Sequence, residues 1–175
     1  MKEDWSDILN LGTKSPIKIH LIGVAGSGMS GIAGLLLSLG HTVSGSDKAD
    51  TKETERLIKL GLNFCGAHSS DQINGVDLVV YSSAIKQGNV VYDKAKELGI
   101  PMIRRAEALA AIMSEKKSII VAGTHGKTTT SSILAHILNY SDIYCTAFLG
   151  GISSNYNTNL ILSELGNIIV VEADE

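Results

Sequence analysis

Residues 123–130 read GTHGKTTT, preceded by the apolar run SIIVA. Glycines that free the backbone, a lysine and threonines at the start of a helix are what a triphosphate needs: N–H groups to wrap it, an ammonium for its charge and a hydroxyl for its cation. The commonest such loop sets a glycine five positions before the Gly-Lys-Thr step, but Val121 stands there and the nearest upstream glycine is Gly123. The turn is therefore a shortened version. Gly123, Thr124, His125, Gly126, Lys127, Thr128 and Thr129 are its candidate nucleotide-binding residues, with Lys127 at the β/γ-phosphates and Thr128 on magnesium. A second magnesium partner is expected at the tip of a neighbouring apolar strand, and IIVVEADE presents Glu172, Asp174 and Glu175 there. Glu172, nearest the strand, is the first choice; the plain alternative is a solvated acidic end.

A second glycine-rich turn, GVAGSGMSG at 23–31, also follows an apolar strand and opens a helix. Exposed amides and the helix dipole at such a corner hold a phosphate or pyrophosphate. The fingerprint fits in two registers, from Gly23 with Ala25 in second place, or from Gly26 with Gly28 and Gly31 following. Asp47, in SGSD, stands about where a dinucleotide fold sets its ribose-binding acid; the plain alternative is a helix cap. Arg104 and Arg105 are the strongest local charge, suited to a phosphate or carboxylate, or to pairing with Glu107.

The elements that must position these residues alternate along the chain. Short β-branched runs (IKIHLI, HTVSGS, DLVVYSSA, IPMI) are separated by helical patterns at about 28–39, through KETERLIKL, at 90–98 and at 106–113. This rhythm predicts about five parallel strands joined by right-handed crossover helices. The polar joint SEKK puts a domain boundary between Ile112 and Ser118. Beyond it come SIIVAG, a helix at about 127–138, YCTAFLGG, a polar loop around SSNYNTN, and NIIVVE. The fold class is α/β: a Rossmann-like parallel-sheet N-terminal domain, residues 1–113, followed by the start of a P-loop α/β ATPase domain, residues 114–175. Three strands and one helix are few for an independent α/β domain, so the second domain is expected to be truncated.

Composition excludes several classes. Of 175 residues 44% are hydrophobic and 19% charged, enough for a real core, and the net charge of −3 offers no basic field for nucleic acid. Two distant cysteines, Cys65 and Cys145, make neither a disulfide framework nor a zinc site. The acidic N-terminus is unlike a secretory signal and no apolar run is long enough to span a bilayer, so a cytoplasmic protein without membrane insertion is expected.

GVAGSGMSGIA, SGSD, SSAI, PMIRRAE, AGTHGKTTT and VVEADE, in this order from Lys18 to Glu175, resemble the Mur ligases of bacterial cell-wall synthesis, whose ATP loop has this shortened spacing. The resemblance implies ATP-dependent, magnesium-assisted formation of an amide through an acyl phosphate, joining L-alanine to the lactyl carboxylate of UDP-N-acetylmuramate. It implies that the first domain holds the UDP end, with Gly26, Ser27, Gly28 and Met29 at the pyrophosphate, and Ser46 and Asp47 near the uridine. Ser82, Ser83 and Ala84 would line the crevice, with Arg104 and Arg105 nearby. His68 belongs to the same set, although Ala67 separates it from Gly66 where the family sets Gly-His side by side. Lys127 and His125 are the implied catalytic residues, His125 either reaching the substrate carboxylate or shaping the loop. Asn157, Thr158 and Asn159 either approach the sugar or form an ordinary turn. Residues for alanine and adenine would lie in later sequence, so a chain of this length is expected to bind the nucleotide sugar without turning it over.

Three other readings stand beside this one. A sister branch that attaches a recycled tripeptide to the same sugar shares GTHGKTTT and EADE but differs at the glycine turn. A nicotinamide-dependent dehydrogenase or sensor would explain the first turn and leave Lys127 without a role. A P-loop switch protein would leave the first domain without one. No oligomeric state follows from the sequence.

Overall fold

A computed structural model describes residues 5–9, 15–114, 116–163 and 165–173. Asp174 and Glu175, two of the three acids at the end of the last strand, and Glu115 of the polar joint lie outside the described residues. The chain divides into two compact units, Met1–Ile112 and Met113–Glu175.

In the first unit the elements run α1 (Ser6–Leu9), β1 (Lys18–Ile22), α2 (Ser27–Ser38), β2 (Thr42–Ser46), α3 (Lys52–Lys59), β3 (Asn63–Phe64), β4 (Leu78–Tyr81), α4 (Val90–Glu97), β5 (Met102–Arg104) and α5 (Arg105–Met113). The strands form one sheet in the order β3-β2-β1-β4-β5, every neighbouring pair parallel. A parallel sheet is covered on both faces, so its central strand reads as a continuous buried run rather than an alternation. Accordingly Ile19, His20, Leu21 and Ile22 are all fully buried. The chain winds outward from β1 to β3, then returns to lay β4 on the other side of β1. That reversal opens a crevice at the carboxyl ends of β1 and β4, where ligands bind in such folds.

The helix ends follow their residues. Gly40, Gly61 and Gly99, just beyond α2, α3 and α4, have φ of +88°, +106° and +67°, the left-handed stop that glycine takes at least cost. Thr51 caps α3 reciprocally with Thr54. Gly45 on β2 is required for a different reason: a Cβ there would lie 2.8 Å from Cβ of Val24, a buried residue of the glycine turn. Gly45→Ala is therefore expected to cost about 1–3 kcal/mol by overpacking, read as a fall in thermal midpoint, and to displace the turn itself.

The second unit contains β6 (Lys117–Val121), α6 (Lys127–Tyr140), β7 (Cys145–Ser153), β8 (Thr158–Ile161) and β9 (Ile168–Glu172), with the sheet order β6-β9-β7-β8. Ala135 of α6 packs with Cys145, Ala147, Leu149, Ile161 and Val170 of the strands. Four strands replace the three read from sequence, and the fourth is antiparallel: β8 folds back on β7. The polar loop expected at SSNYNTN is in fact a turn at 154–157, where Asn157 takes φ +51°, and its last two residues, Thr158 and Asn159, begin β8. Half of that four-residue strand is polar, so it carries no apolar run to betray it. Among the described residues no helix is long and apolar enough to cross a membrane.

Candidate functional site

In the first unit, β1 ends at Ile22 and Gly23 turns the chain at φ +85°. The Gly23 N–H donates to the Ser46 carbonyl at 2.8 Å, and the Gly26 N–H donates to the Gly23 carbonyl at 3.3 Å. The register that starts at Gly23 is thus the one adopted; the register from Gly26 would need a longer strand. Gly26 is the N-cap of α2 and provides no side-chain cap, so the corner offers backbone N–H groups and the positive end of a twelve-residue helix.

Gly28 then makes room for an arginine. A Cβ at Gly28 would lie 2.7 Å from Nη1 and 3.2 Å from Cζ of Arg105. The guanidinium therefore packs on the first turn of α2, adding a cation to the dipole. Arg104 behaves differently: it is exposed, and its backbone N–H donates to Oε2 of Glu107 at 2.8 Å, so Glu107 caps the start of α5. Ser82 adjoins the turn, its Oγ 3.8 Å from where a Gly23 Cβ would stand; Ser83 and Ala84 follow it as exposed loop residues. Met29 is buried in α2, and Ser27 begins that helix.

Asp47 braces this corner. Its Oδ2 accepts the Ala25 N–H and its Oδ1 the Ala49 N–H, both at 3.0 Å, which leaves each oxygen a further lone pair. Ser46 is buried, with its Oγ 3.1 Å from Nε2 of His20 and 2.8 Å from Nδ1 of half-buried His68. Composition and motif reading passed over His20 and Ser44, the other end of this chain of contacts. The available signal was one histidine in an apolar strand facing serines spaced by two.

Burial first, and then the neighbouring His68, lower the pKa of His20 from 6.5 to about 4. Its neutral form is the native one. As pH falls from 6.5 toward 4 the unfolded chain takes up a proton that the folded chain refuses, and stability falls by about 3 kcal/mol at most. Thermal unfolding of the chain across that window checks this, and His20→Gln should flatten the dependence.

In the second unit, residues 122–126 join β6 to α6, with Gly123 at φ +153° and Gly126, the N-cap, at +78°. Lys127 opens the helix and its Nζ donates to the Gly123 carbonyl at 2.7 Å, which holds the ammonium over the turn. One residue on, Oγ1 of Thr128 donates to Oε2 of Glu172 at 2.9 Å, and Oε1 of Glu172 accepts the Gly150 N–H at 2.8 Å. The structure thus brings together the two residues read as magnesium partners, from the first turn of α6 and the end of β9. Gly150 is the missed member of the group: a Cβ there would fall 2.6 Å from Oε2 of Glu172.

Hard oxygen donors of this kind suit magnesium, which takes one or two protein oxygens and completes its shell with phosphate and water. Among the described residues no group of three or more His, Cys, Asp or Glu could hold an ion unaided. Thr124, His125 and Thr129 are exposed, and the His125 ring makes no hydrogen bond among the described residues. A cavity of about 350 Å³ opens beside Thr128 and Thr129, walled by Ser132, His136, Ile152 and Asn155. Asn159 is buried on β8.

Residues 18–117 match the model of the Mur ligase family, catalytic domain. The UDP-N-acetylmuramate–L-alanine ligase of Ruthia magnifica is 46% identical over 157 residues, which cover 90% of this chain and 33% of that protein. Among solved structures, the UDP-N-acetylmuramate-alanine ligase of Thermotoga maritima superposes with TM-score 0.82 at 32% identity, covering 89% of this chain and 37% of that one. The UDP-N-acetylmuramate:L-alanyl-γ-D-glutamyl-meso-diaminopimelate ligase of Neisseria meningitides gives 0.83 at 29%, covering 92% of this chain and 53% of that one. The chain spans about a third of the length of the curated relatives it matches. It belongs to the Mur ligase family.

Proposed function

We propose that this chain supplies two ligand corners of an ATP-dependent ligase that joins L-alanine to the lactyl carboxylate of UDP-N-acetylmuramate. The first unit takes the nucleotide sugar and the second takes ATP with magnesium. With these substrates the reaction belongs in the cytoplasm. The observation that carries the reading is the Thr128–Glu172 hydrogen bond beneath the Gly126-Lys127 helix start, an arrangement suited to a triphosphate and its cation. Relatives of this name at 46% identity support the alanine-adding branch. The fold alone does not separate it from the tripeptide-adding branch, since solved structures of both superpose equally well.

The γ-phosphoryl group of ATP passes to the lactyl carboxylate, forming an acyl phosphate and ADP. The amine of L-alanine then attacks the acyl carbon, forming the amide as the C–O bond to phosphate breaks. Lys127 neutralises charge that grows on the transferred group, and the amides of the 123–130 turn fix its oxygens without reorganisation. His125, exposed in the same turn, is assigned to the substrate carboxylate. When bound, magnesium offsets charge on the phosphate oxygens, held by Thr128 and Glu172. At the other corner, Arg105 and the α2 amides take the pyrophosphate of the sugar nucleotide. Ser82 to Ala84 line the crevice and Asp47 keeps the turn in shape.

Titration calorimetry of this chain with UDP-N-acetylmuramate tests the assignment. Binding is expected, and Arg105→Ala should weaken it about ten- to a hundredfold, the worth of a charge-assisted hydrogen bond. No heat from a folded chain would count against the reading.

A further inference from the structure

We propose that His20 and Ser46 are positioning residues: through one directed chain of hydrogen bonds they hold His68 with its proton on Nδ1, so that its Nε2 meets the ligand as an acceptor. The inference rests on the reading that the first unit binds the nucleotide sugar, and it goes beyond that reading by assigning a proton to each ring.

The proposed direction of the chain starts at its half-buried Ser44 end. Ser44 Oγ lies 3.4 Å from the Ile19 carbonyl, to which it donates in a long hydrogen bond, and 2.9 Å from Nδ1 of His20. A hydroxyl has one proton; in the proposed arrangement it lies on Ile19, the Ser44 oxygen accepts, and His20 carries its hydrogen on Nδ1. His20 is fully buried and neutral, so its Nε2 is a bare lone pair. Ser46 Oγ, 3.1 Å away, must therefore donate to it. The Ser46 oxygen is left as an acceptor for His68 Nδ1 at 2.8 Å, which requires the hydrogen of His68 on that nitrogen. Its Nε2 has no partner among the described residues.

The segment bearing His68 is held in place independently. Cys65 N–H donates to the Gly45 carbonyl, and Asp47 N–H donates to the Gly66 carbonyl, both at 2.9 Å. Gln72 Nε2 donates to the Ala67 carbonyl at 2.7 Å. The first two bonds fasten residues 65–66 to the end of β2, beside the corner that Asp47 braces, and the third ties Ala67 to the turn that follows. A bare Nε2 there selects a group that donates, such as a hydroxyl or N–H of the nucleoside, whereas the opposite tautomer would face it with a second donor.

Nitrogen-15 NMR of the two rings in this chain near pH 7.5 reads the arrangement directly. Both His20 and His68 are expected with Nδ1 protonated and Nε2 bare. His20→Gln keeps an amide that can donate to Ser44 and accept from Ser46, so His68 should keep its tautomer. His20→Leu frees the Ser46 hydroxyl to donate to His68, which should move its proton to Nε2. Affinity for UDP-N-acetylmuramate should follow, near wild type in His20→Gln and about two- to tenfold weaker in His20→Leu, the range for one neutral hydrogen bond. Should His20→Leu not fold, Ser46→Ala reports the same link through loss of a single fixed tautomer at His68. His68 protonated on Nε2 in the wild type, or unmoved in both disrupting variants, overturns the proposal. A wild type with the expected tautomers that ignores the sugar nucleotide would instead sink the ligand reading and leave the proton assignment standing.

Discussion

Lys127→Ala should lower the turnover of a full-length ligase containing this chain on the order of 10^3-fold, the loss typical of removing a charged group that stabilises a transferring phosphoryl. The reason is positional. Lys127 is the first residue of α6, and its Nζ is already drawn back over the turn to the Gly123 carbonyl at 2.7 Å. A phosphate entering the turn takes the place of that carbonyl as the ammonium's partner, without the side chain having to be gathered from solvent. Phosphate release in the presence of ATP, UDP-N-acetylmuramate and L-alanine measures the effect. Titration of this chain with magnesium-ATP should show weaker binding in the same variant. Unchanged turnover would remove Lys127 from the reaction.

The second large effect is expected at Glu172. Glu172→Gln retains an oxygen for the Gly150 N–H and nearly the same volume beside Gly150, where no larger group fits, so the fold should survive. What it loses is the negative charge facing Thr128, and an amide can direct a donor toward the Thr128 oxygen instead of accepting from it. Turnover should fall on the order of 10^2-fold, partly recovered at high magnesium concentration. Titration of activity with magnesium checks both parts. A variant with wild-type rate and magnesium dependence would show that Thr128 and Glu172 merely tie β9 to α6.

Much of this architecture was legible in residue order, because the signals were local. The alternation of β-branched runs with helical patterns that builds the first sheet follows from short-range sterics and periodicity. What escaped depended on partners distant in sequence. Two-residue β3 is a strand only because β2 runs beside it, and β8 only because β7 does. The choice between Gly23 and Gly26 as turn glycine was decided by where β1 ends. Whether Arg105 or Arg104 approaches the glycine corner was likewise decided by the packing of Gly28, since the two arginines are equivalent in sequence.

The candidate site divides in the same way. The Gly-Lys-Thr turn and its acidic partner were visible as types and order, and the Thr128–Glu172 bond joins them across 44 residues. The bracing by Asp47 was not visible: its carboxylate accepts the amides of Ala25 and Ala49, one of them 22 residues away. Ser46, expected near the uridine, is buried between two histidines. Strand pairing of His20 with Ser44 and of Ile22 with Ser46 creates that cluster, and no spacing rule within one segment reports it.

Amide NMR of this chain, titrated separately with UDP-N-acetylmuramate and with magnesium-ATP, tests most directly whether each unit has its own phosphorylated ligand. The sugar nucleotide should shift the amides of residues 23–30 and of Arg105 while those of 123–130 stay unmoved, and ATP should do the reverse. Both ligands shifting the same turn, or either leaving its turn unmoved at saturating concentration, would contradict the account.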